Sequence, residues 1–286
     1  MTKCKLCNST AAIHVFQKNN YDFVRCTECG LVFLDYDPNE KSIYQLYNQG
    51  YFKDKNTVCG FSDYFSLEKA FRKTFLRKLQ KILRFKRDGR LLEIGAGPGF
   101  FLNEAKKFFQ ISGNEISKEA CDFAKKNYGI YMECNSFQPD NYSRDTFDVI
   151  VMFDVIEHLT KPFDILKGVF TIQKKNGLLV LSTGDVDSLI AKVSGKRWHL
   201  FTLPEHLFFF SKRTIRLALE KVGYKAIKIN YEYNYYTLKY ILERLTKSFE
   251  VGAGFYRNPS RINCLNKIIL PLNLFDIMTV YAMKCV

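Results

Sequence analysis

Two features that would direct a chain to or across a membrane are missing from this sequence. There is no run of ~18 apolar residues, the length that spans a bilayer, and no basic and apolar leader at the start. We therefore expect neither export nor membrane spanning, and predict a cytoplasmic protein. In that reducing compartment, the nine cysteines are expected to be free thiols or metal ligands rather than disulfides.

Acidic residues are also scarce: the chain has 29 of them and 43 lysines and arginines, which gives a net charge of +14. The excess is uneven: residues 61–90 carry +7 and residues 211–286 carry +8, whereas residues 91–160 carry −5. Basic flanks of this kind attract a phosphate-bearing substrate, an anionic membrane surface or nucleic acid, although solvated lysine faces without a partner are equally common. With 286 residues, 47% of them hydrophobic, the chain can form one large α/β domain plus a small module.

The small module is predicted at residues 1–40 from two cysteine pairs. Cys4 and Cys7 form the first Cys-x-x-Cys, and Cys26 and Cys29 form the second, with eighteen residues between the two pairs. This spacing is typical of a structural zinc ribbon with four thiolate ligands. Redox use of a pair is an alternative, but the first pair lacks the strand and helix context of such motifs. Replacement of one ligand by His14 is another.

A connector and an amphipathic helix are predicted over residues 41–86. The connector, rich in Tyr and Asn, shows no periodicity. From Phe61 to about Lys86, apolar residues recur at helical spacing while Arg and Lys occupy the other face, which we expect to be solvated. The apolar positions are Phe61, Tyr64, Phe71, Phe75, Leu79, Ile82 and Leu83.

The most informative segment is residues 91–99, Leu-Leu-Glu-Ile-Gly-Ala-Gly-Pro-Gly. An apolar strand that ends in three alternating glycines permits a sharp turn and close approach of a ligand to the backbone, and a helix is predicted over 100–109. A nicotinamide fingerprint would need its third glycine where Phe100 stands. The acidic Glu93 before the first glycine favours a cofactor that carries positive charge.

About twenty residues later, a second strand over 111–117 contains Glu115, whose carboxylate can accept both hydroxyls of a ribose. Ser117 is the predicted N-cap of a helix that ends near Asn127. The order strand, helix, strand, helix predicts a parallel sheet with its ligand at the carboxyl edge.

These residues resemble the first motif of class I S-adenosylmethionine-dependent methyltransferases, acidic-x-Gly-x-Gly-x-Gly. The resemblance implies a Rossmann-like α/β fold with a seven-stranded sheet over residues 87–286, and S-adenosyl-L-methionine as cofactor. It also implies the cofactor-binding residues, which are Glu93, Gly95, Ala96, Gly97, Gly99, Glu115, Ile116, Ser136, Phe137, Phe153 and Asp154. Of these, Ser136 and Phe137 follow a predicted third strand and would hold the adenine, and Phe153 and Asp154 would lie near the sulfonium.

The remaining apolar runs continue this sheet. Strands are predicted at 130–134, 147–154, 177–183, 224–233 and 276–284, and a helix at 211–222 with Ser211 as its cap. Residues 236–273 fit no methyltransferase motif and are predicted to be an insertion that contacts membrane, a partner or substrate.

Histidine is the scarcest candidate catalytic residue, with four in the chain. His158, His199 and His206 fall at or beyond the carboxyl ends of the fourth and fifth strands, where ligands bind in this architecture. If the acceptor is a hydroxyl or an acidic C–H, then His206, His158 or Glu205 is the candidate general base. Alternatively, Glu157 and His158 only cap the helix that follows Lys161-Pro162.

A narrower resemblance, carried by the cysteine pairs, Glu157-His158-Leu159 and Pro204-Glu205-His206-Leu207, is to methyltransferases of sugar and surface-polysaccharide pathways. It implies O- or C-methylation of a small molecule, such as a phosphate-bearing nucleotide- or lipid-linked sugar. The alternatives are an RNA methyltransferase, although no Asn-Pro-Pro-Tyr motif or RNA-binding signature is found, and a non-enzymatic zinc-ribbon scaffold. The sequence leaves the acceptor and the oligomeric state open.

Overall fold

The computed structural model describes residues 3–36, 38, 64–249 and 265–285, without the side chains of 244–249. Most of the predicted connector, and Phe61, lie outside these residues. Within them the strands are β1 (Ala12–Lys18), β2 (Tyr21–Cys26), β3 (Val32–Leu34), β4 (Arg90–Ile94), β5 (Gln110–Asn114), β6 (Phe147–Phe153), β7 (Gln173–Gly184), β8 (Phe208–Phe209), β9 (Tyr224–Tyr231), β10 (Asn234–Thr237), β11 (Ile269–Leu272) and β12 (Ile277–Lys284). The α-helices are α1 (Glu68–Ile82), α2 (Phe100–Ala105), α3 (Lys118–Tyr128), α4 (Pro162–Ile172), α5 (Leu189–Ser194), α6 (Lys212–Val222) and α7 (Leu238–Phe249).

A central sheet in the order β5-β4-β6-β7-β12-β9 organises the main domain. The first four of these strands are parallel, and β12 runs antiparallel to both of its neighbours. Strands β4, β6 and β7 consist mostly of buried aliphatic residues because helices cover both faces of the sheet. The predicted Rossmann-like α/β architecture is confirmed.

Two predicted elements are shorter than expected. The strand predicted at 130–134 is reduced to a single parallel bridge between Asn114 and Glu133, so the described sheet has six strands and one bridge where seven strands were predicted. The helix predicted over 100–109 ends at Ala105, because the chain then turns and Phe109 packs into the core.

Helix caps are formed where the sequence predicts them. The Ser117 side chain accepts a hydrogen bond from the Ala120 amide and begins α3. Ser211 and Thr214 form a reciprocal capping box that begins α6. Both helices end at a left-handed glycine.

The basic face of α1 departs from the prediction of a solvated surface. Lys78 is buried, and its Nζ lies 3.3 Å from the hydroxyl oxygen of Thr279 on β12. Lys81 forms an ion pair with the buried Glu232 at 2.9 Å. Part of this face therefore packs against the main domain.

The cysteine module is joined to the main domain by a shared sheet in the order β1-β2-β3-β8. Strand β8 lies in the loop after β7, yet it pairs antiparallel with β3, where Phe33 is opposite Phe208. Phe201, from the same loop, packs edge-on against Phe16 and Phe23 with ring centroids 5.1 and 4.9 Å apart. The module and the loop thus share one hydrophobic core.

The segment predicted as an insertion, 236–273, begins within β10 and ends one residue after β11; the two strands pair antiparallel, and β10 packs beside α1. The Tyr235 amide donates to the hydroxyl oxygen of Thr74 at 2.8 Å, so the insertion is anchored to that helix. Among the described residues, no helix is long and apolar enough to cross a membrane.

The contact between the cysteine module and the loop can be tested at Phe201. We expect Phe201→Ala to lower the free energy of unfolding by about 3 kcal/mol, because truncating a buried aromatic ring leaves a cavity. Urea denaturation measures the change. Leu189→Ala, at a side chain that is 79% exposed, is the control and should cost about 0.5 kcal/mol or less. Equal losses in the two variants would contradict the proposed contact.

Candidate active site

A cleft of about 1530 Å³ opens at the carboxyl ends of the parallel strands. Its floor is formed by the loops after β4, β5 and β6, and its walls include the loop before β8 and part of the segment 234–274, which contains the predicted 236–273 insertion. In open parallel sheets, ligands bind at this edge. The sequence placed its candidate residues in the same loops.

The glycine segment after β4 forms a bare turn on the floor of the cleft. Gly95, Gly97 and Gly99 all have positive φ angles, of 69°, 51° and 77°. The amides of Gly95 and Ala96 both donate to the Asn114 carbonyl oxygen, at 2.9 and 3.0 Å. A Cβ added to Gly95 would lie 2.5 Å from a methyl group of Val155, so a side chain has no room there.

Glu115 ties this turn to the next strand. Its carboxylate accepts hydrogen bonds from the amides of Gly97 at 2.7 Å and Ser117 at 2.8 Å. Burial raises the pKa of Glu115, and the bonds from the Ser117 and Gly97 amides act in the opposite direction. Each carboxylate oxygen can accept more than one hydrogen bond, so Glu115, which lines the cleft, can still accept from a ligand hydroxyl.

Glu93 is 2% exposed, and its Oε2 has no hydrogen-bond partner among the described residues. Burial, followed by the charge of Glu115, raises the pKa of Glu93 well above its usual range. A buried carboxyl without a partner is costly unless a cation or a donor reaches it. This part of the cleft therefore suits a positively charged ligand.

The other predicted cofactor residues are placed as follows. Ala96, Ile116, Ser136, Phe137, Phe153 and Asp154 all line the cleft. Gly99 does not, and instead caps α2, where a Cβ would lie 3.1 Å from the Cβ of Ala124. Asp154 has a φ of 56° and accepts a hydrogen bond from the Ser182 hydroxyl at 2.8 Å.

The structure brings the candidate catalytic residues together. The rings of His158 and His206 meet edge to face with centroids 4.5 Å apart, and both line the cleft with Glu205. The Nδ1 of His158 lies 3.1 Å from the Glu205 carbonyl oxygen, and that of His206 lies 2.8 Å from the Leu200 carbonyl oxygen. Burial lowers the pKa of His158 to about 4 and that of His206 well below its usual range, so both rings are neutral at pH 7.

Two more carboxyl groups lie in this half of the cleft. The Oε2 atoms of Glu157 and Glu205 are buried and have no hydrogen-bond partner in the part of the chain that the structure describes. Burial, assisted by the negative charge of Asp154, raises the pKa of Glu157 to about 8. The alternative that Glu157 and His158 cap the next helix is wrong, because α4 has Lys161 at its N-cap and no side-chain cap bond.

His199 also lines the cleft, and its Nδ1 lies 3.5 Å from the Asp276 carboxylate. The same carboxylate accepts a hydrogen bond from the Trp198 indole at 2.9 Å. His199 is thus paired with Asp276 and is not part of the His158–His206 ring contact.

Several cleft residues were not found from the sequence. Lys78 reaches the cleft from α1, where burial lowers its pKa and the Phe153 ring lies 4.7 Å from its Nζ. In the sequence, only the neighbouring apolar residues of the helix could have indicated that Lys78 is buried. The helical periodicity instead placed Lys78 on the face that was predicted to be solvated. The insertion adds Tyr235, Tyr236 and Tyr240 to the wall, and no motif marked them.

The four predicted zinc ligands, Cys4, Cys7, Cys26 and Cys29, form a second cluster. Their four Sγ atoms all lie within 4.8 Å of one another. The Sγ atoms of Cys4 and Cys29 are 3.6 Å apart, and those of Cys7 and Cys26 are 3.4 Å apart. Thiolates at ~2.3 Å from a tetrahedral zinc would be about 3.8 Å apart. His14 is outside the cluster and contacts Asp22 instead.

Comparison with known proteins agrees with this geometry. Residues 61–229, more than half of the chain, match a family described as a methyltransferase domain. The chain belongs to this methyltransferase family.

A malonyl-[acyl-carrier protein] O-methyltransferase of Halalkalibacterium halodurans is 32% identical over 108 residues, which cover 34% of this chain and 40% of that protein. A ubiquinone biosynthesis O-methyltransferase of Parvibaculum lavamentivorans is 29% identical over 102 residues, with the same coverage. The chain thus spans about two-fifths of the length of these methyltransferases.

Solved structures share the fold of this methyltransferase at low sequence identity. The magnesium protoporphyrin IX methyltransferase of Synechocystis PCC 6803, with bound S-adenosylhomocysteine, has a TM-score of 0.55 and 13% identity, over 86% of this chain and 100% of that one. A SAM-dependent methyltransferase of Archaeoglobus fulgidus has a TM-score of 0.52 and 20% identity, over 77% and 99% of the two chains.

The glycine turn can be tested with a matched pair of substitutions. Gly95→Ala and Gly129→Ala both place a side chain at a similar positive φ, but only at Gly95 does the new Cβ meet another group. We expect Gly95→Ala to weaken S-adenosylhomocysteine binding at least tenfold (about 1.4 kcal/mol), and Gly129→Ala to leave it unchanged. Isothermal titration calorimetry measures both. Equal affinities would show that the turn does not contact the ligand.

Proposed function

We propose that the protein transfers a methyl group from S-adenosyl-L-methionine to an oxygen of a small-molecule acceptor. The observation that carries this proposal is the bare glycine turn between two buried acidic residues at the carboxyl edge of the sheet. A positively charged adenosyl ligand fits beside the Glu93 carboxyl, whose Oε2 has no partner among the described residues, and its ribose hydroxyls fit Glu115. When bound, this cofactor supplies an electrophilic methyl group.

The protein has little covalent chemistry to perform in such a reaction. The glycine turn and Glu115 hold the cofactor, and the cleft walls exclude water and align the acceptor for an in-line displacement. An acceptor hydroxyl must lose its proton, and His206, His158 or Glu205 is placed to take it. The two imidazoles are neutral at pH 7, which is the state that a general base requires.

Oxygen is the favoured acceptor atom because both curated relatives are named as O-methyltransferases. We further propose that the acceptor is a phosphate-bearing sugar, linked to a nucleotide or a lipid. The supporting features are the size of the cleft, its tyrosine-lined wall and the basic charge of residues 211–286. A phosphate group is attracted by a field of that sign.

The binding and catalytic roles can be separated with two substitutions. We expect Glu115→Gln to weaken S-adenosylhomocysteine binding about 10- to 100-fold, because a hydrogen bond to a charged group is worth about 1.5–3 kcal/mol. His206→Gln should leave that affinity unchanged and slow turnover about 10²- to 10⁴-fold. Calorimetry measures the affinities, and transfer of labelled methyl to an acceptor found by screening nucleotide- and lipid-linked sugars measures turnover.

Asp122→Asn, at an exposed carboxylate that pairs with Lys118 on the surface of α3, is the control for Glu115. His14→Gln, on the exposed face of β1, is the control for His206. Unchanged affinity in Glu115→Gln would refute the ribose assignment. A wild-type protein that binds no S-adenosylhomocysteine would refute the function itself.

We also propose that Cys4, Cys7, Cys26 and Cys29 bind a structural zinc ion. The sulfur separations support a tetrahedral S₄ site, which has no open position for chemistry. Burial raises the pKa of Cys4 to about 11 and also raises that of Cys29, so a cation is needed to keep these thiols ionised. The ion would stabilise the small sheet that includes β8.

Zinc binding predicts one equivalent of zinc in the purified chain and its loss on Cys26→Ser. The midpoint of thermal unfolding of the cysteine module should fall, because metal binding and folding of a small module are coupled. Atomic emission measures the metal, and circular dichroism measures unfolding. Cys285→Ser, at an exposed thiol outside the cluster, should change neither. Full zinc content in Cys26→Ser would contradict the assignment.

A further inference from the structure

The acceptor half of the cleft holds a second set of metal-ligand side chains. Glu157 and His158 lie in the short 3₁₀ turn after β6, and His206 lies in the loop before β8. One ligand atom from each of the three lies within 4.8 Å of the others. The fold thus brings His158 and His206, which are 48 positions apart in the chain, close to each other.

The backbone fixes the orientation of both imidazoles. Each ring has its Nδ1 at a carbonyl oxygen, His158 at Glu205 and His206 at Leu200, and a carbonyl only accepts. Nδ1 therefore carries the proton in each ring, and the lone pair of the neutral imidazole is on Nε2. Histidines that bind metals are commonly held in this way, with the other ring N–H donated to a backbone carbonyl.

Glu157 supplies one carboxyl oxygen, Oε2, for which the described residues provide no partner, although the carboxyl group also accepts a hydrogen bond from the Thr183 side chain. It is 4% exposed, and its Oε2 has no hydrogen-bond partner among the described residues, although the Glu157 carbonyl accepts from the Leu207 amide at 2.8 Å. Isolation of a carboxylate from water without a counter-charge costs several kcal/mol. A general base requires only one of these three side chains, whereas a metal site uses all three.

We propose that Glu157, His158 and His206 bind a divalent first-row transition-metal ion, which holds the acceptor oxygen during methyl transfer. Two imidazole nitrogens and one carboxylate oxygen suit Mn²⁺ or Fe²⁺ and leave coordination positions open. The site is separate from the cysteine cluster, whose four sulfurs form a closed set. The role of the ion in methyl transfer rests on the proposed function, whereas the metal-binding experiment below does not depend on it.

The chemistry is Lewis-acid activation without any redox change. A hydroxyl bound to the ion has a lowered pKa, and its proton passes to the Glu205 carboxylate, which lines the same cleft. An oxygen lone pair then forms the C–O bond to the methyl carbon while the C–S bond breaks, and its electron pair stays on sulfur. The products are a methyl ether or ester and neutral S-adenosylhomocysteine. The two histidines act as ligands, and the proton acceptor is Glu205.

The experiment is titration of the full-length, zinc-loaded protein with Mn²⁺, followed by electron paramagnetic resonance. Mn²⁺ prefers oxygen and imidazole ligands to thiolates, so it does not replace zinc in the cysteine cluster. We expect one Mn²⁺ per chain, and an affinity at least tenfold weaker in Glu157→Gln and in His206→Gln. His199 lines the same cleft but is outside the three-residue cluster, so the His199→Gln variant is the control and should bind Mn²⁺ with the affinity of the wild type.

Pulsed resonance provides a readout that a purely structural effect would not change. The Mn²⁺ complex should show couplings to imidazole nitrogen that His206→Gln reduces. Absence of saturable Mn²⁺ binding, or equal binding by the wild type and both variants, would overturn the proposal. Calorimetry with S-adenosylhomocysteine on the same samples tests the proposed function independently, because the cofactor residues and the three ligands do not overlap.

Discussion

The burial of unpaired carboxyl groups is the electrostatic constraint on which this site depends. Glu93, Glu157 and Glu205 each have a buried oxygen without a partner among the described residues, in a cleft that is also lined by Lys78, which is buried against an aromatic ring. A folded chain tolerates such groups only if they become neutral or if a ligand supplies positive charge. The raised pKa values of Glu93 and Glu157 show the first response, and a sulfonium and a divalent ion would supply the second.

The parallel sheet gives these groups their positions. Because β4, β5 and β6 run in one direction, their carboxyl ends bring Glu93, Glu115 and Asp154 to one edge. The bond from the Gly97 amide to Glu115 then joins the first two loops through the ligand-binding surface itself. A displacement of either loop therefore changes the position of the other, because this hydrogen bond connects them.

Residues that belong to short, regular patterns could be predicted from the sequence. The strand and glycine turn at 91–99, the Ser117 and Ser211 caps and the two cysteine pairs all depend on neighbours within a few positions, and the structure places each as expected. What was missed depends on distant contacts. The pairing of Phe33 with Phe208 joins segments 175 residues apart, and Lys78 is buried because β12 and Phe153 close over a helix that looks amphipathic by itself.

The cysteine module also has a structural link to the catalytic loop. The Leu34 amide donates to the Leu207 carbonyl oxygen at 3.0 Å, and the Leu207 amide donates to the Glu157 carbonyl oxygen at 2.8 Å. Leu207 is thus held between β3 and the turn that carries Glu157 and His158, and it directly follows His206 in the chain. Strand β8 is two residues long, and its sheet partner in the described structure is β3 of the module. Through Leu207, the proposed zinc ribbon can therefore influence the position of His206.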